Sequence, residues 1–190
     1  MAARLTTRAG LIARTRPAAL ALALVAAGFL AGCGVGAGRP PQASVAPTAL
    51  ASVPVAIDQT RLQVESALRA GGHFLGRPNF AYRPPESGAL AAAPRVVYQV
   101  LMAEDPGHGL IVIYEFPDVA RAALAGREMA AYIASGPGRI QFPLDARFVL
   151  RQLGTTLIFY TWSRESSPGK EVEEIAIVLE TIGQGIAVPS

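Results

Sequence analysis

The stretch Leu110-Ile111-Val112-Ile113-Tyr114-Glu115-Phe116 is the most strongly strand-forming part of this 190-residue chain. Its β-branched and aromatic residues favour a strand, and because apolar side chains follow one another almost without interruption, both faces of that strand need cover. Another apolar run, residues 96–102, precedes it, and Glu104-Asp105-Pro106-Gly107 between the two runs has the proline and glycine that a tight turn prefers. The sequence therefore predicts a hairpin whose second strand lies in the centre of a sheet.

The first hairpin is followed by a helix and then by a second hairpin. Pro117-Asp118 forms a helix start, and Gly136-Pro137-Gly138 ends that helix, whose inner face consists of small and apolar residues. Residues 147–153 and 156–162 have the composition of two more strands, and Gly154-Thr155 between them turns the chain. Because the two hairpins carry similar apolar runs at matching places, they suggest a diverged internal repeat of one hairpin and one helix.

Two further helices complete the pattern. The last one is marked by the apolar residues Val172, Ile175, Val178, Leu179 and Ile182 and is closed by Gly183. The first one is expected from Asp58, whose carboxylate can cap free amides, to Gly71-Gly72. Each hairpin is thus followed by a helix that can cover a sheet face. We expect an α+β fold, a two-layer sandwich with a mostly antiparallel sheet, built from two hairpin-helix units with one preceding helix.

The N-terminus has the three parts of a secretory signal peptide. Four arginines and no acidic residue form a positive n-region, and an uncharged, mostly apolar run follows as far as residue 32. The run ends in Leu30-Ala31-Gly32-Cys33, which resembles the lipobox of bacterial lipoproteins: an aliphatic residue, two small residues and the cysteine that receives lipid. Cys33 is the only cysteine of the chain and so has no disulfide partner. The resemblance implies that residues 1–32 are a lipoprotein signal peptide and that Cys33 is the lipid attachment site, carrying acyl groups such as palmitate.

Two alternatives remain for this segment: an ordinary signal peptide or an uncleaved spanning helix. The uncharged run extends over residues 18–38, which is 21 residues and close to the roughly 20 that a spanning helix needs. Five glycines crowd its second half, and each costs about 1 kcal/mol relative to alanine in a helix interior. The well-formed helix therefore ends near Leu30, too early to span comfortably, which favours the lipoprotein interpretation.

Composition divides the remaining chain into a tether and a folded domain. Residues 33–57 hold the acylated cysteine and a run rich in glycine, proline and alanine with no helical or strand period, which is typical of a flexible tether. Residues 58–190 hold the predicted helices and strands, and this length suffices for one domain with its own core. We expect the tether to hold this domain away from the bilayer.

Charge argues against a nucleic-acid partner. The net charge of +3 arises in the n-region, which holds four of the 17 basic residues and none of the 14 acidic ones, so the rest of the chain carries a net charge of −1. Proteins that bind nucleic acid need a basic stripe or patch, and no charge run of either sign occurs after residue 32.

The succession of elements is similar to that of small uncharacterised bacterial lipoproteins. The similarity covers residues 58–184 and rests on a short helix ending in Gly-Gly, a hairpin ending in Tyr114-Glu115-Phe116-Pro117-Asp118, an alanine-rich helix, a second hairpin and a closing helix. It implies the fold and a location at the cell membrane, lipid-anchored on the extracytoplasmic face. It implies no activity.

No catalytic or metal-binding pattern stands out in the sequence. His73 and His108 lack the spacing of a metal site, and the Gly-x-Ser-x-Gly nucleophile motif does not occur. The acidic pairs Glu104-Asp105 and Glu173-Glu174 lie on a turn and on a helix surface, where we expect them to be solvated. We therefore expect no metal, no cofactor and no enzymatic activity.

Glu115 has two interpretations, because it is an acid inside an apolar strand. It either lies on the outward face of that strand, paired with Arg147 or Arg151 of a neighbour, or it is a buried functional carboxylate.

The aromatic residues of the strands suggest a binding surface. Successive strand residues face opposite sides, so an open sheet face with Tyr98, Tyr160 or Trp162 exposed would form a docking surface. We expect a membrane-anchored, non-enzymatic lipoprotein that binds a protein partner or a small ligand at the cell envelope. The alternative is an envelope enzyme that uses Glu115 or a histidine.

Overall fold

A six-stranded antiparallel sheet organises residues 53–189, which are the residues that the computed structural model describes. The helices are α1 (Val55–Ala70), α2 (Gly88–Ala92), α3 (Val119–Ala134), α4 (Gly136–Arg139) and α5 (Glu171–Glu180). The strands are β1 (Leu75–Gly76), β2 (Arg95–Val100), β3 (Leu110–Glu115), β4 (Arg147–Leu153), β5 (Thr156–Trp162) and β6 (Gln184–Gly185). They follow the order β1-β2-β3-β5-β4-β6, and every neighbouring pair is antiparallel. The α+β class and the mostly antiparallel sheet predicted from the sequence are confirmed.

Both predicted hairpins form, and they meet in the middle of the sheet. In the second hairpin Leu153 pairs with Thr156 around a turn in which Gly154 has a φ of 58°, a left-handed conformation that glycine adopts without strain. The two hairpins join through β3 and β5, where Ile113 lies opposite Ile158. The most apolar strands therefore occupy the centre, as expected for β3.

Helices cover both faces of the sheet, so the expected two-layer arrangement is wrong. Ile111 and Ile113 face a core formed with α1 and α5, whereas Val112 and Tyr114 face a second core formed with α2 and α3. The physical reason lies in β3 and β5 themselves, since both are apolar at consecutive positions and thus on both faces. One helical layer would leave half of these side chains in water.

The two hairpin-helix units agree in their strands and differ in their helices. Ile111 and Ile158, which occupy matching places in the two units, face the same core. The helix that follows β3 nevertheless packs on one face of the sheet, and the helix that follows β5 packs on the other. The similarity between the units therefore ends with the strands.

Helix α1 begins at Val55, three residues before the expected start at Asp58. Ile57 is fully buried, and Val53 packs against the same core, so residues 53–57, expected to belong to the tether, are part of the fold. Asp58 lies in the first turn and accepts a hydrogen bond of 2.9 Å from Arg61. The expected start was late because the apolar residues that begin the helix resemble the alanine- and valine-rich sequence before them.

The chain after α5 turns back onto the sheet. Gly183 has a φ of 56°, and a Cβ at this position would collide with the carbonyl oxygen of Gln152. Beyond β6 the N–H of Ile186 donates to the carbonyl of Leu150 at 2.9 Å. The Ile186 side chain then lies against Gly126 of α3, so closely that a side chain there would collide with it. This path places Ile186 and Val188 on the α3 side of the sheet, next to β4.

Candidate functional site

The expected open aromatic face does not exist, because two of its three residues are buried. Tyr98 is 2% exposed and Tyr160 is fully buried, both in the core under α1 and α5. The hydroxyl of Tyr160 donates to the carbonyl of Val172 at 3.0 Å, and burial raises the pKa of Tyr160. The sequence could not reveal this, since a strand residue covered by a helix and one that faces solvent have the same local pattern.

Trp162, the third residue of that expected surface, lines a groove of about 1000 Å³ at the outer edge of the sheet. The first half of β4 and the adjacent end of β5 form its floor, with Arg147, Phe148 and Val149 beside Trp162. One side is formed by α5, and the other by the end of α3 and by residues 186–189. Ile177 of α5 contributes an exposed apolar side chain.

Three of the charged groups in the groove, Arg164, Glu173 and Asp145, are held by neighbouring residues. Arg164 forms an ion pair of 2.5 Å with Glu173 of α5. The carboxylate of Asp145 accepts hydrogen bonds from the Ser163 hydroxyl at 2.5 Å and from the Glu165 N–H at 3.1 Å. The Ser163 hydrogen bond lowers the pKa of Asp145, which is therefore ionised at neutral pH.

Three other charges in the groove have no carboxylate or cation partner among residues 53–189. Arg139 donates to the carbonyls of Pro143 and Leu144, and its guanidinium lies 5.7 Å from the ring centroid of Phe148. Arg147 and Glu180 form no ion pair within this range. With the ionised Asp145 counted, Arg139 and Arg147 leave one net positive charge at the Arg147 end of the groove.

Glu115 matches neither of its two sequence-based interpretations fully. It lies opposite Thr156 on β5, so the proposed pairing with Arg147 or Arg151 of β4 is wrong, because β5 separates the two strands. Its Oε2 is buried and has no hydrogen-bond partner among the described residues. It is at the opposite end of β3 from His108, so the two do not form one site.

His108 is part of a hydrogen-bonded cluster rather than a free turn residue. Its Nδ1 lies 2.5 Å from Oδ1 of Asp105, and the buried hydroxyl of Ser167 donates to the other oxygen of Asp105. Partial burial opposes ionisation of Asp105, but the hydrogen bonds from Ser167 and His108 together lower its pKa. Asp105 is therefore partly buried and hydrogen-bonded, whereas the sequence suggested a solvated side chain. The serine contacts the carboxylate and not the imidazole, so the order of groups that activates a nucleophile is not formed.

No sequence pattern predicted the ionic cluster around the buried Glu86. The Glu86 side chain is only 3% exposed, and its carboxylate binds Arg83 at 2.6 Å, Arg95 at 3.3 Å and the Tyr114 hydroxyl at 2.9 Å. Burial raises the pKa of Tyr114, and the adjacent Glu86 charge adds to that effect. Glu86 lies in the loop before α2, Arg95 begins β2 and Tyr114 lies in β3, so no local sequence pattern links the three residues. The cluster attaches the loop before α2 to the centre of the sheet.

Within residues 53–189 no group of His, Cys, Asp and Glu side chains could hold a metal ion. No helix in the same range has both the length and the apolar character needed to cross a membrane. The lipid attachment predicted at Cys33, like the signal peptide 1–32 and most of the tether, lies outside the described residues. No protein-family model, curated protein or solved structure matches this chain.

Proposed function

We propose that this protein is a lipoprotein, anchored by lipid on Cys33 to the extracytoplasmic face of a bacterial membrane, whose α+β domain binds a protein partner without catalysing a reaction. The observation that supports a binding role is the groove along β4, with Trp162 in its floor and Ile177 exposed beside it. Large apolar side chains left exposed next to a concave surface are typical of sites where another molecule binds.

The character of the groove favours a polypeptide over a small apolar ligand. Small-molecule pockets are lined mainly by apolar side chains with a few polar groups. Here six of the lining residues are charged: Arg139, Asp145, Arg147, Arg164, Glu173 and Glu180. A polypeptide can offer apolar and charged side chains to such a surface together. Glu115 and His108 lie at opposite ends of β3, so they offer no acid–base pair to the alternative, an envelope enzyme.

The anchor is consistent with the sequence before the domain. Each buried methylene of an acyl chain adds about 0.8 kcal/mol to membrane binding, and stable anchoring takes two signals or chains. The diacylated cysteine that the lipobox resemblance implies satisfies this condition.

A Cys33→Ser variant tests the anchor. We expect the unaltered protein to incorporate a clickable palmitate analogue and to sediment with membranes, and the variant to lose both properties. A variant that remains equally membrane-bound would refute the lipid anchor.

Site-specific photo-crosslinking in living cells tests the binding role. p-Benzoylphenylalanine introduced at Ile177, in the groove, is compared with the same group at Leu62, which is 52% exposed on α1 outside the groove. We expect one discrete protein adduct from position 177 and none from position 62. Equal or no adducts at both positions would contradict a partner site in the groove.

A further inference from the structure

Part of the outer edge of β4 pairs with no strand in the described range, residues 53–189. β6 pairs only with Arg151 and Gln152, and the next contact is the hydrogen bond from Ile186 to Leu150. Beyond Ile186 the chain makes no further backbone hydrogen bond to β4 within the described residues. Among residues 53–189, none pairs with the edge of β4 from residue 147 to 149, and this free edge forms the floor of the groove.

The strand register shows which backbone groups point outward from this edge. In an antiparallel ladder the N–H and C=O of one residue point to the same side, and the side alternates along the strand. The carbonyl of Leu150 points away from β5, because it accepts from Ile186. Two residues earlier, the N–H and C=O of Phe148 must point the same way. Both groups are thus available in the floor of the groove.

We propose that the groove binds an extended segment of the partner protein, which adds to the sheet as a strand antiparallel to β4 and exchanges hydrogen bonds with Phe148. This inference rests on the proposed function and specifies the kind of partner. Free edge groups are the usual template for strand addition, in which main-chain hydrogen bonds supply affinity and alternate side chains supply specificity. The free edge accommodates about three residues, or roughly 10 Å of strand.

The groove charges define the side chains of the bound segment. Arg147 at the start of β4 is exposed and unpaired within residues 53–189, so it favours an acidic residue at the adjoining end. Glu180 lies near the other end, because α5 finishes where Arg151 donates to the carbonyl of Ile182 at 2.7 Å. It favours a basic residue there. Between them, Phe148 and Ile177 offer apolar contacts on either side of the added strand.

The sole tryptophan of the chain makes this site directly measurable. Trp162 lies in the groove, so its fluorescence reports on occupancy without any label. The probe is the blocked peptide Lys-Ile-Glu, which in an antiparallel strand opposite residues 147–149 places its acid beside Arg147 and its isoleucine opposite Phe148. The reversed peptide Glu-Ile-Lys has the same composition and serves as the control. The protein is the full lipidated chain in detergent.

We expect the first peptide to shift the Trp162 emission saturably below about 1 mM, the weak limit of specific binding, and the reversed peptide to bind more weakly. N-methylation of the peptide residue opposite Phe148 should abolish the shift, whereas N-methylation of the next residue should not, because only the first N–H points toward β4. Equal effects of the two methylated peptides, or no shift with any peptide, would overturn strand addition.

Two protein variants test the same hydrogen bonds by changing the protein and not the peptide. Phe148→Pro removes an N–H that makes no bond within the sheet, a position where an edge strand tolerates proline. Phe148→Leu removes the ring and keeps that N–H. We expect Phe148→Pro to bind the peptide about tenfold more weakly than Phe148→Leu, as one lost hydrogen bond implies. Equal affinities in two variants with unchanged circular dichroism would overturn the proposal.

Combining these variants with the crosslinker at Ile177 separates the two proposals. An adduct with a partner protein that Phe148→Leu retains and Phe148→Pro loses supports strand addition. An adduct retained by both variants would overturn strand addition and leave the proposed function intact. An adduct between two copies of this chain would overturn both, and would identify the groove as a contact between its own subunits.

Discussion

The substitution Tyr114→Phe removes one hydroxyl from the ionic cluster around the buried carboxylate of Glu86. Tyr114 is fully buried, and its hydroxyl donates to Oε2 of Glu86 at 2.9 Å. The ring of phenylalanine fills the same space, so the core packing is kept. Only the hydrogen bond to Oε2 is lost, while Arg83 and Arg95 still face the other carboxylate oxygen.

The expected cost follows from the charge and burial of Glu86. A hydrogen bond to a charged group contributes roughly 1.5–3 kcal/mol, and a buried acceptor left without its donor loses that amount without compensation by water. The two arginines stabilise the remaining charge, so we expect the free energy of unfolding to fall by about 2 kcal/mol. For a chain of this length that corresponds to a Tm lower by roughly 4–8 °C.

Urea and thermal unfolding followed by circular dichroism at neutral pH measure this change. Tyr132→Phe is the matched control, because its hydroxyl bonds with Gln141 in an exposed position, and we expect a change within about 0.5 kcal/mol. A double-mutant cycle with Glu86→Gln should show non-additive losses. If Tyr114→Phe costs no more than Tyr132→Phe, or if the cycle is additive, the cluster does not stabilise the fold as argued.

Three further predictions concern pH and the backbone. Burial raises the pKa of Tyr160, so above about pH 10 the unfolded chain loses a proton that the folded protein retains. The free energy of unfolding then falls by about 1.4 kcal/mol per pH unit for each such group. Tyr160→Phe should make this alkaline fall shallower in urea titrations, and an unchanged slope would contradict the argument. The pKa of Asp105 is lowered in the fold, so its contribution is present above about pH 4 and is lost as pH falls through the folded value. Asp105→Asn should therefore lower stability at neutral pH and weaken its acid dependence, whereas an identical acid limb would refute the role of the cluster. Gly183→Ala places a Cβ against a carbonyl oxygen at a left-handed position and should lower the free energy of unfolding by at least about 1–2 kcal/mol. The control Gly169→Ala, whose added Cβ meets no neighbour within 4 Å, should change the Tm little. Equal effects of the two substitutions would show that the turn into β6 is not constrained.

Helices and strands were predictable where local patterns are sufficient. The central residues of β3, from Ile111 to Tyr114, predict a strand because each is β-branched or aromatic. Gly154 predicts the turn because it can adopt a positive φ. The short elements β1, α2, α4 and β6 were not predicted. Each has five residues or fewer, so none repeats a period often enough to give a signal, and tertiary contacts alone stabilise it.

The candidate site was predictable only in part. Trp162 was selected as a possible binding residue and does line the groove, but Tyr98 and Tyr160, selected on the same grounds, are core residues. The difference arises from position in the sheet, because Trp162 ends β5 beside the edge strand while the two tyrosines lie beneath helices. No property of the three side chains distinguishes them.

The amino-acid sequence alone is enough to specify two hairpins, the three long helices and the α+β class, because alternation, turn residues and helix ends act over a few neighbouring positions. The pairing of β3 with β5, the choice of face for each helix and the ionic cluster of Glu86 with Tyr114 depend on the folded chain. These contacts join residues tens of positions apart, and burial of apolar area, which drives them, depends on what covers a side chain and not on the order of its neighbours. The groove along β4 is of the same kind, since its walls come from α3, α5 and residues 186–189 and exist only once these segments pack around the sheet.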